Sequence, residues 1–292
     1  QQRFRCGWIN APCRTSDPVD RPTPEAMEQG DQRSTQYDAG RERAYHASIL
    51  IGQGVSACAV HDLTTAEPHA LLWAANAAVL HHRDLPKHPR SVTFVSLPEW
   101  STLVPDGALQ PESGARHLAL VHGSTHGGQV RDEPVRTLGA TCLYVNDDAH
   151  DRMVLERFPN ARALPLQAVL VRGAQLRATS GSTVLVHRGA ERVDIAVAQG
   201  QRVLLSNSYP ARTADDLLYF CLLATEQCGL RSDTVGLRTG GTHLAEKERD
   251  LLGRYFGDHA SAIQPEWPGM PSSAGQPLDR WLAALDQFAC VS

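Results

Sequence analysis

Hydrophobic and polar positions alternate most regularly between residues 182 and 256, where they predict a fixed succession of strands and helices. Runs rich in β-branched residues, typical of strands, cover residues 183–186, 193–198 and 203–205. The breaks between them contain Gly189 and Gly200. Glycine supplies the positive φ that tight hairpin turns need, so the pattern predicts a three-stranded antiparallel meander.

A helix is predicted after this meander. Thr213 can cap its first turn, and Asp216 completes a capping box and places negative charge at the positive end of the helix dipole. One buried stripe follows at helical spacing: Leu217, Phe220, Cys221, Ala224 and Cys228. Gly229 suits a left-handed C-cap. We therefore assign the acidic pair Asp215 and Asp216 to helix initiation rather than to catalysis.

The next predicted strand ends in a glycine pair, Gly240 and Gly241, and another helix follows. Thr242 can cap that helix and Gly257 can end it. Its predicted buried positions are Leu244, Leu251, Leu252 and Tyr255.

The first half of the chain carries a weaker version of the same pattern. Strand-like runs cover residues 46–51, 55–61 and 68–73, then 92–95 and 142–145, and a helix is predicted at 147–158. The first turn contains Gly52 and Gly54. Two halves that both begin with a three-stranded meander indicate a duplicated module, although such strands also occur in any mixed domain.

Composition excludes several classes of protein. The chain has 292 residues, 42% of them hydrophobic, which is enough to bury a core in one large or two small domains. The net charge is -4 with acids and bases interspersed, so no nucleic-acid partner is expected. No apolar run reaches the roughly 20 residues that span a bilayer, and the first residues do not resemble a signal peptide, so membrane insertion is not expected.

Seven cysteines without a C-x-x-C pair argue against a disulfide framework or a zinc knuckle. Several of them lie in apolar runs, where they are expected to be buried as small hydrophobic residues. A reducing cytoplasm is the compartment that this usage favours.

The ends of the chain differ from the middle. Residues 1–43 are polar and aperiodic, and we expect a disordered amino-terminal tail. Residues 44–180 and 181–264 are expected to form two lobes, followed at 265–292 by a linker and an amphipathic helix. That helix either packs back on the domain or docks a partner protein.

Several strings of residues resemble an uncharacterised bacterial family, domain of unknown function 3822, chiefly from Bacteroidetes. They are Ser91-Val-Thr-Phe-Val95, Thr102-Leu-Val-Pro105, Arg157-Phe-Pro-Asn-Ala161, Gln201-Arg-Val-Leu-Leu-Ser-Asn-Ser-Tyr209 and Thr213-Ala-Asp-Asp-Leu-Leu-Tyr-Phe220. The likeness covers about residues 45–267 and is thin between 107 and 137. It implies an α/β fold, a duplicated actin-like (ribonuclease H-like) ATPase with two lobes, mixed five-stranded sheets and flanking helices. It brings no established activity.

Members of the actin and sugar-kinase superfamily place glycines and an aspartate in the first hairpin turn of each half. The glycine amides cradle phosphate and the carboxylate orients Mg²⁺ or water. Here the first turn has Gly52 and Gly54 without an acid. The second has Gly189 with Glu191, which we expect Arg188 to neutralise. Gly240, Gly241 and Thr242 resemble the superfamily's adenosine loop, although a glycine pair before a helix is also an ordinary turn.

Other chemistry is less well supported. Asp62 suits a turn cap and Asp194 an exposed strand face. His69, His81, His82 and His88 with Asp84 match no metal-ligand spacing, so no metal site is assigned. The polar stretch of residues 122–128 lacks the strand-to-helix elbow of a nucleophilic serine.

Two classes of function remain open. The first is an interaction or scaffold module with unidentified protein partners, which binds ATP and Mg²⁺ weakly at most through Gly52, Gly54, Gly189, Gly240, Gly241 and Thr242. The second is an ATP-dependent phosphotransferase or ATPase that uses unorthodox acids such as Glu191, Asp62 or Asp215. The missing turn aspartates favour the first.

Overall fold

A computed structural model describes residues 29–123, 128–179, 181–262 and 278–291. The strands of the first half are β1 Gly30–Arg33, β2 Tyr45–Ile51, β3 Val55–Asp62, β4 Pro68–Ala75, β5 Ser91–Ser96, β6 Glu99–Pro105, β7 Arg131–Val135, β8 Ala140–Asn146 and β9 Arg162–Ala163. Those of the second half are β10 Ser182–Arg188, β11 Arg192–Gln199, β12 Arg202–Pro210, β13 Gly236–Gly240 and β14 Ala260–Ala262. The α-helices are α1 Gly114–His122, α2 Asp148–Arg157, α3 Leu166–Arg177, α4 Ala214–Gln227, α5 Glu246–Phe256 and α6 Leu282–Leu285.

The two main sheets repeat one topology. The second sheet has the order β12-β11-β10-β13-β14, and the first has the matching order β4-β3-β2-β5-β9 with β1 added at its edge. In each, an antiparallel meander is extended by parallel strands. The predicted meanders and the duplication are confirmed, and the first sheet has six strands rather than five because of β1.

An inserted unit separates β5 from β9. Strands β6, β8 and β7 form a three-stranded antiparallel sheet in that order, and α1 packs against β6 and β8. Leu118 of α1 is buried with Val104, Leu143 and Val145 of the inserted sheet. The insertion therefore has a small apolar core of its own.

Each half ends in a helical segment that packs on the sheet of the other half. Helix α3 lies on β10, β11 and β12, whereas α6 lies on β2, β3 and β5. Short 3-10 turns, Leu278–Trp281 and Asp286–Cys290, flank α6. One apolar core includes residues of both sheets, of α3 and of α6, so the two halves are interlocked.

The carboxy-terminal segment packs back on the domain, as the first of its two alternatives predicted. Trp281 is fully buried and stacks on Trp73, with ring centroids 6.3 Å apart. The Arg177 guanidinium pairs with both carboxylate oxygens of Asp286, at 2.6 and 2.9 Å. Residues 263–277, where the linker was predicted, lie outside the described part of the chain.

The expected disordered tail is wrong for its last residues. Strand β1 pairs with β4, and the chain continues into a 3-10 turn at Ala39–Ala44. Gly30 lies against the Trp73 ring, and Tyr37 stacks on Tyr45 at 5.5 Å. Backbone pairing and two aromatic contacts thus order a segment whose composition is polar. Residues 1–28 lie outside the described part.

Helix predictions fail at a few individual positions. Tyr255 was placed in the buried stripe of α5, but it is 51% exposed and Phe256 is buried instead. The helix starts at Glu246, three residues later than a Thr242 cap requires, and its buried residues are Glu248, Leu252 and Phe256. Cys58, Cys142 and Cys221 are buried free thiols, as expected.

Candidate functional site

The first glycine turn closes on its own backbone. The Gly52 N–H donates to the Val55 carbonyl oxygen at 2.8 Å, and the Asn76 N–H donates to the Gly54 carbonyl oxygen at 3.0 Å. Gly54 has φ +76°, with open space at its missing Cβ. Glycine is thus required here by the backbone conformation of the hairpin itself.

The second turn is filled by the buried side chain of Arg188. Its Nη1 donates to the carbonyl oxygens of Gly189 at 2.9 Å, Ala211 at 2.8 Å and Arg192 at 3.2 Å. Its Nε donates to the Glu248 carboxylate at 3.1 Å, and both side chains are 5% exposed. Several carbonyl oxygens of this turn therefore converge on a cation.

A turn arranged in this way presents the wrong groups to phosphate. Phosphate sites in glycine-rich turns use backbone N–H donors, whereas here carbonyl acceptors point inward and the guanidinium occupies the space between them. Glu191 was expected to be neutralised by Arg188. That pairing is wrong, because Arg188 reaches Glu248 of α5, and Glu191 is exposed.

The space beside the glycine pair is occupied by other parts of the chain. A Cβ on Gly240 would lie 2.5 Å from the Asp279 carbonyl oxygen and 3.1 Å from Leu282. Gly241 has φ +118°, and a Cβ there would overlap the backbone of Arg188. The Gly241 N–H donates to the Asp279 carbonyl oxygen at 2.9 Å. The close approach that these glycines permit is used by the carboxy-terminal segment and by β10.

Thr242 does not cap α5. It is buried, and its hydroxyl lies 2.9 Å from Nδ1 of His243. The first turn of α5 is closed by Glu248 instead, whose Oε2 accepts from the Ala245 N–H at 2.9 Å. Glu248 thus serves the helix start with one oxygen and Arg188 with the other.

The structure places four of the six predicted nucleotide-site residues at Arg188 or next to it. Gly189 and Gly241 both adjoin Arg188, with Gly240 and Thr242 next to Gly241 in the chain. The hydrogen-bond partner of Gly52 is Val55 of the same hairpin, and that of Gly54 is Asn76, directly after β4. Sequence reasoning missed Glu248 and Asp279, because their roles depend on contacts across 60 and 38 residues of chain.

The acids near the turns are engaged structurally. Asp194, expected on an exposed face, is buried and pairs with the Arg192 guanidinium, and the Ser208 hydroxyl donates to it at 2.6 Å. Although burial opposes ionisation, this guanidinium holds the pKa of Asp194 well below its usual range. Asp62 accepts from the N–H groups of Thr64 and Thr65, at 2.7 and 3.2 Å, and so caps its turn as predicted.

A buried acid that the sequence did not reveal lies at the base of the insertion. Glu99 begins β6, and its Oε2 accepts from the Leu166 N–H at 2.7 Å, at the start of α3. Burial raises the pKa of Glu99 to about 7. The Arg192 guanidinium donates to the Glu99 carbonyl oxygen, which ties the insertion to the second sheet.

One group of side chains has the composition of a metal site. Ligand atoms of Asp31, His82 and Asp84 lie within 4.8 Å of one another. The Arg33 guanidinium pairs with both carboxylates, at 2.6 and 3.1 Å, and the Asp84 N–H donates to Nδ1 of His82 at 3.2 Å. The Arg83 guanidinium also pairs with Asp84 at 3.1 Å, so the two carboxylates have two counter-charges and one ring nitrogen of His82 accepts a hydrogen bond; the group is an ion-pair cluster.

Comparison with solved structures shows an actin-like ATPase fold. A Bacteroides thetaiotaomicron protein, described as having an actin-like ATPase fold and unknown function, matches with a TM-score of 0.64 and 16% identity over 75% of this chain and 91% of that chain. A chain of the PilM-PilN type IV pilus biogenesis complex matches with a TM-score of 0.55 and 13% identity over 85% of this chain and 98% of that chain. Among proteins of curated description, none matches this sequence.

The sequence matches at the family level as well. The family model described as protein of unknown function (DUF3822) covers residues 48–256, which include the glycine turns of both meanders and the glycine pair. In the described ranges, no helix combines the length and the apolar character that crossing a membrane requires. With most of its length matched, the chain belongs to the family described as protein of unknown function (DUF3822).

Proposed function

We propose that this protein is a non-catalytic interaction module, in which an actin-like frame serves as a scaffold for protein partners and binds nucleotide weakly at most. The observation that carries the proposal is the Arg188 side chain in the second hairpin turn. Phosphoryl transfer depends on positioning and on neutralising charge around the phosphate. A turn filled by its own guanidinium and lined by carbonyl oxygens supplies neither.

The positions of the acids give a second line of support. Asp62 stands at the end of β3 opposite to the Gly52 turn, about 23 Å along the strand. Glu191 is exposed, and Asp215 lies in the first turn of α4. The carboxylates that the enzymatic alternative requires therefore do not converge on one metal position.

The interlocked helices also favour a scaffold. A nucleotide-driven cycle that opens the lobes would pull α3 from the second sheet and α6 from the first. That motion would expose a shared core that contains Leu170, Leu185 and Trp281, all buried. Exposing such side chains costs about 1.5–3 kcal/mol each. A rigid frame is the state that this packing favours.

One structural neighbour and the charge of the chain support a protein as the partner. One structural neighbour belongs to a complex, the PilM-PilN type IV pilus biogenesis complex. The net charge of -4 gives no footprint for nucleic acid. We therefore assign protein rather than nucleic acid as the class of partner.

Calorimetric titration of the purified protein with ATP and Mg²⁺ tests the proposal. We expect no saturable heat, or a Kd weaker than about 1 mM, because the turn offers carbonyl acceptors to a polyanion. Titration with MgCl₂ alone is the control for cation binding to surface acids. A saturable micromolar isotherm that needs both ATP and Mg²⁺ would contradict the proposal.

A further inference from the structure

Helix α4 carries apolar side chains on its exposed side as well as on its buried side. Leu217, Cys221, Ala224 and Thr225 face the core. Tyr219 on the opposite side is 59% exposed and Leu223 is partly exposed, whereas Leu218 and Leu222 are partly exposed at the edge of the core, against which they pack. Surface helices of globular domains normally carry polar residues on the face away from the core. The outer apolar residues of α4 therefore indicate a surface that another molecule covers.

The outer face of α4 has a regular order. Asp215, Tyr219, Leu222 and Glu226 follow at i, i+4, i+7 and i+11, so they form one stripe along the helix. We call these four residues the acid-flanked stripe. An aromatic and an aliphatic side chain lie at its centre, with a carboxylate at each end. The two carboxylates are about 16 Å apart along the helix axis.

The tyrosine at the centre is held in place by its neighbours. Its ring meets the Phe220 ring edge-on, with centroids 5.1 Å apart, and Phe220 stacks on Tyr209 of β12 at 4.5 Å. A rigid, exposed aromatic side chain is the usual anchor of a protein interface, because it loses little conformational entropy on binding.

The flanking acids are free to meet a partner. Asp216 is used by the cap, where it accepts from the N–H groups of Arg212 and Thr213 at 2.9 Å each. Within the described residues, the carboxylates of Asp215 and Glu226 make no hydrogen bond or ion pair. No lysine, arginine or histidine occurs in α4, and Arg231 beyond its end is paired with Asp233 at 2.5 Å.

We propose that the acid-flanked stripe docks an amphipathic helix of a partner protein, with lysine or arginine residues flanking its apolar contact residues. The charge of the stripe selects this occupant. Two copies of this chain, whether parallel or antiparallel along α4, would place carboxylate beside carboxylate, which is unfavourable. An anionic lipid surface would be repelled for the same reason. A cationic segment gains two ion pairs and a contact with the tyrosine ring.

A synthetic peptide supplies the test, which rests on the proposed function but is independent of nucleotide. The probe is a fluorescent helical peptide that repeats the spacing of the stripe, with lysines facing the two acids and leucines facing the apolar pair. We expect a rise in fluorescence anisotropy with the native protein, and weaker binding as salt is raised. A peptide with glutamates in place of the lysines should not bind.

Matched variants locate the site. Tyr219→Ala should weaken binding about tenfold and Asp215→Asn about threefold, as for an interface anchor and a flanking ion pair. The controls are Tyr255→Ala and Asp250→Asn on α5, which remove a tyrosine that is 51% exposed and a like charge and should change nothing. Circular dichroism should show all four variants folded, because these side chains are outside the core.

Three outcomes would overturn the docking proposal. They are equal binding of the lysine and glutamate peptides, unchanged binding in Tyr219→Ala, and dimerisation of the native protein in light scattering that Tyr219→Ala abolishes. None of them bears on nucleotide chemistry. Conversely, robust ATP binding would contradict the proposed function but would leave the peptide result unchanged. Failure of the docking proposal and failure of the proposed function are therefore distinguishable.

Discussion

At the scale of single residues, a buried ion pair occupies the second hairpin turn. Arg188 satisfies carbonyl oxygens of the second turn and pairs with Glu248, which also closes the start of α5. A buried charge is tolerated only when it is paired and hydrogen-bonded. The turn, Ala211 directly after β12, and α5 are therefore joined through one guanidinium.

Replacing that guanidinium tests its structural role. Arg188→Met should lower the free energy of unfolding by about 3–5 kcal/mol, because Glu248 is left buried without a counter-charge. The double variant Arg188→Met/Glu248→Gln should be more stable than Arg188→Met alone. Arg231→Met, in an exposed pair, is the control and should cost under about 1 kcal/mol. Urea denaturation measures all three, and a cost below about 1 kcal/mol for Arg188→Met would show that the pair is dispensable.

Glu99 gives the protein a predictable response to pH. Burial raises its pKa from the ordinary 4.5 to about 7. Between pH 4.5 and 7, Glu99 therefore keeps its proton in the folded state but has lost it in the unfolded state. The free energy of unfolding should therefore fall as pH rises from 4.5 to 7, by up to about 1.4 kcal/mol per unit, and level off above. Glu99→Gln should flatten this part of the profile, whereas Glu226→Gln should not. An unchanged profile in Glu99→Gln would assign the dependence to other groups.

At the scale of elements, local signals decide where α4 begins. The Thr213 hydroxyl accepts from the Asp216 N–H at 3.0 Å, and the Asp216 carboxylate accepts from the Thr213 N–H at 2.9 Å. This is the predicted capping box. Asp215 contributes no such bond, so the acidic pair divides into one capping residue and one free carboxylate.

The two acids should differ in their effect on stability. Asp216→Ala should cost about 1 kcal/mol, because it leaves two N–H groups without their acceptor. Asp215→Asn should change the free energy of unfolding by less than about 0.5 kcal/mol, since only an interaction with the helix dipole is lost. Thermal melting followed by circular dichroism compares them, and equal costs would contradict this division.

Sequence reasoning succeeded where the signal is local and failed where it is long-range. The meanders, the cap of α4 and the turn glycines depend on neighbouring residues, so the pattern predicts them. Strand β1 and the Arg188–Glu248 pair depend on distant partners, which periodicity does not record. The glycine pair was correctly recognised as a place of close approach, but its neighbours, Asp279 and Leu282, belong to a segment 38 or more residues away.

At the scale of the whole molecule, helix exchange makes two repeats into one folding unit. Helix α3 and the carboxy-terminal segment lie between the sheets, and the Gln287 amide bridges Thr93 and the Ile49 carbonyl at 2.9 Å each. A core shared by both halves predicts a single cooperative unfolding transition.

Truncating the central tryptophan tests this cooperativity. Trp281→Ala should lower the free energy of unfolding by about 3–5 kcal/mol and shift a single transition, because the cavity opens in the core that both sheets share. Leu120→Ala, at a residue 76% exposed, is the control. Differential scanning calorimetry would contradict the account if it resolved two transitions of which only one moved.

The most direct measurement is phosphate release from ATP with Mg²⁺ over a range of protein concentrations, with the native protein beside Glu191→Gln and Asp194→Asn. A turn filled by Arg188 and acids that do not converge predict no release above the protein-free rate in any of the three. Release that grows in proportion to the native protein and disappears in either variant would contradict the account and place this protein among the enzymes of its fold.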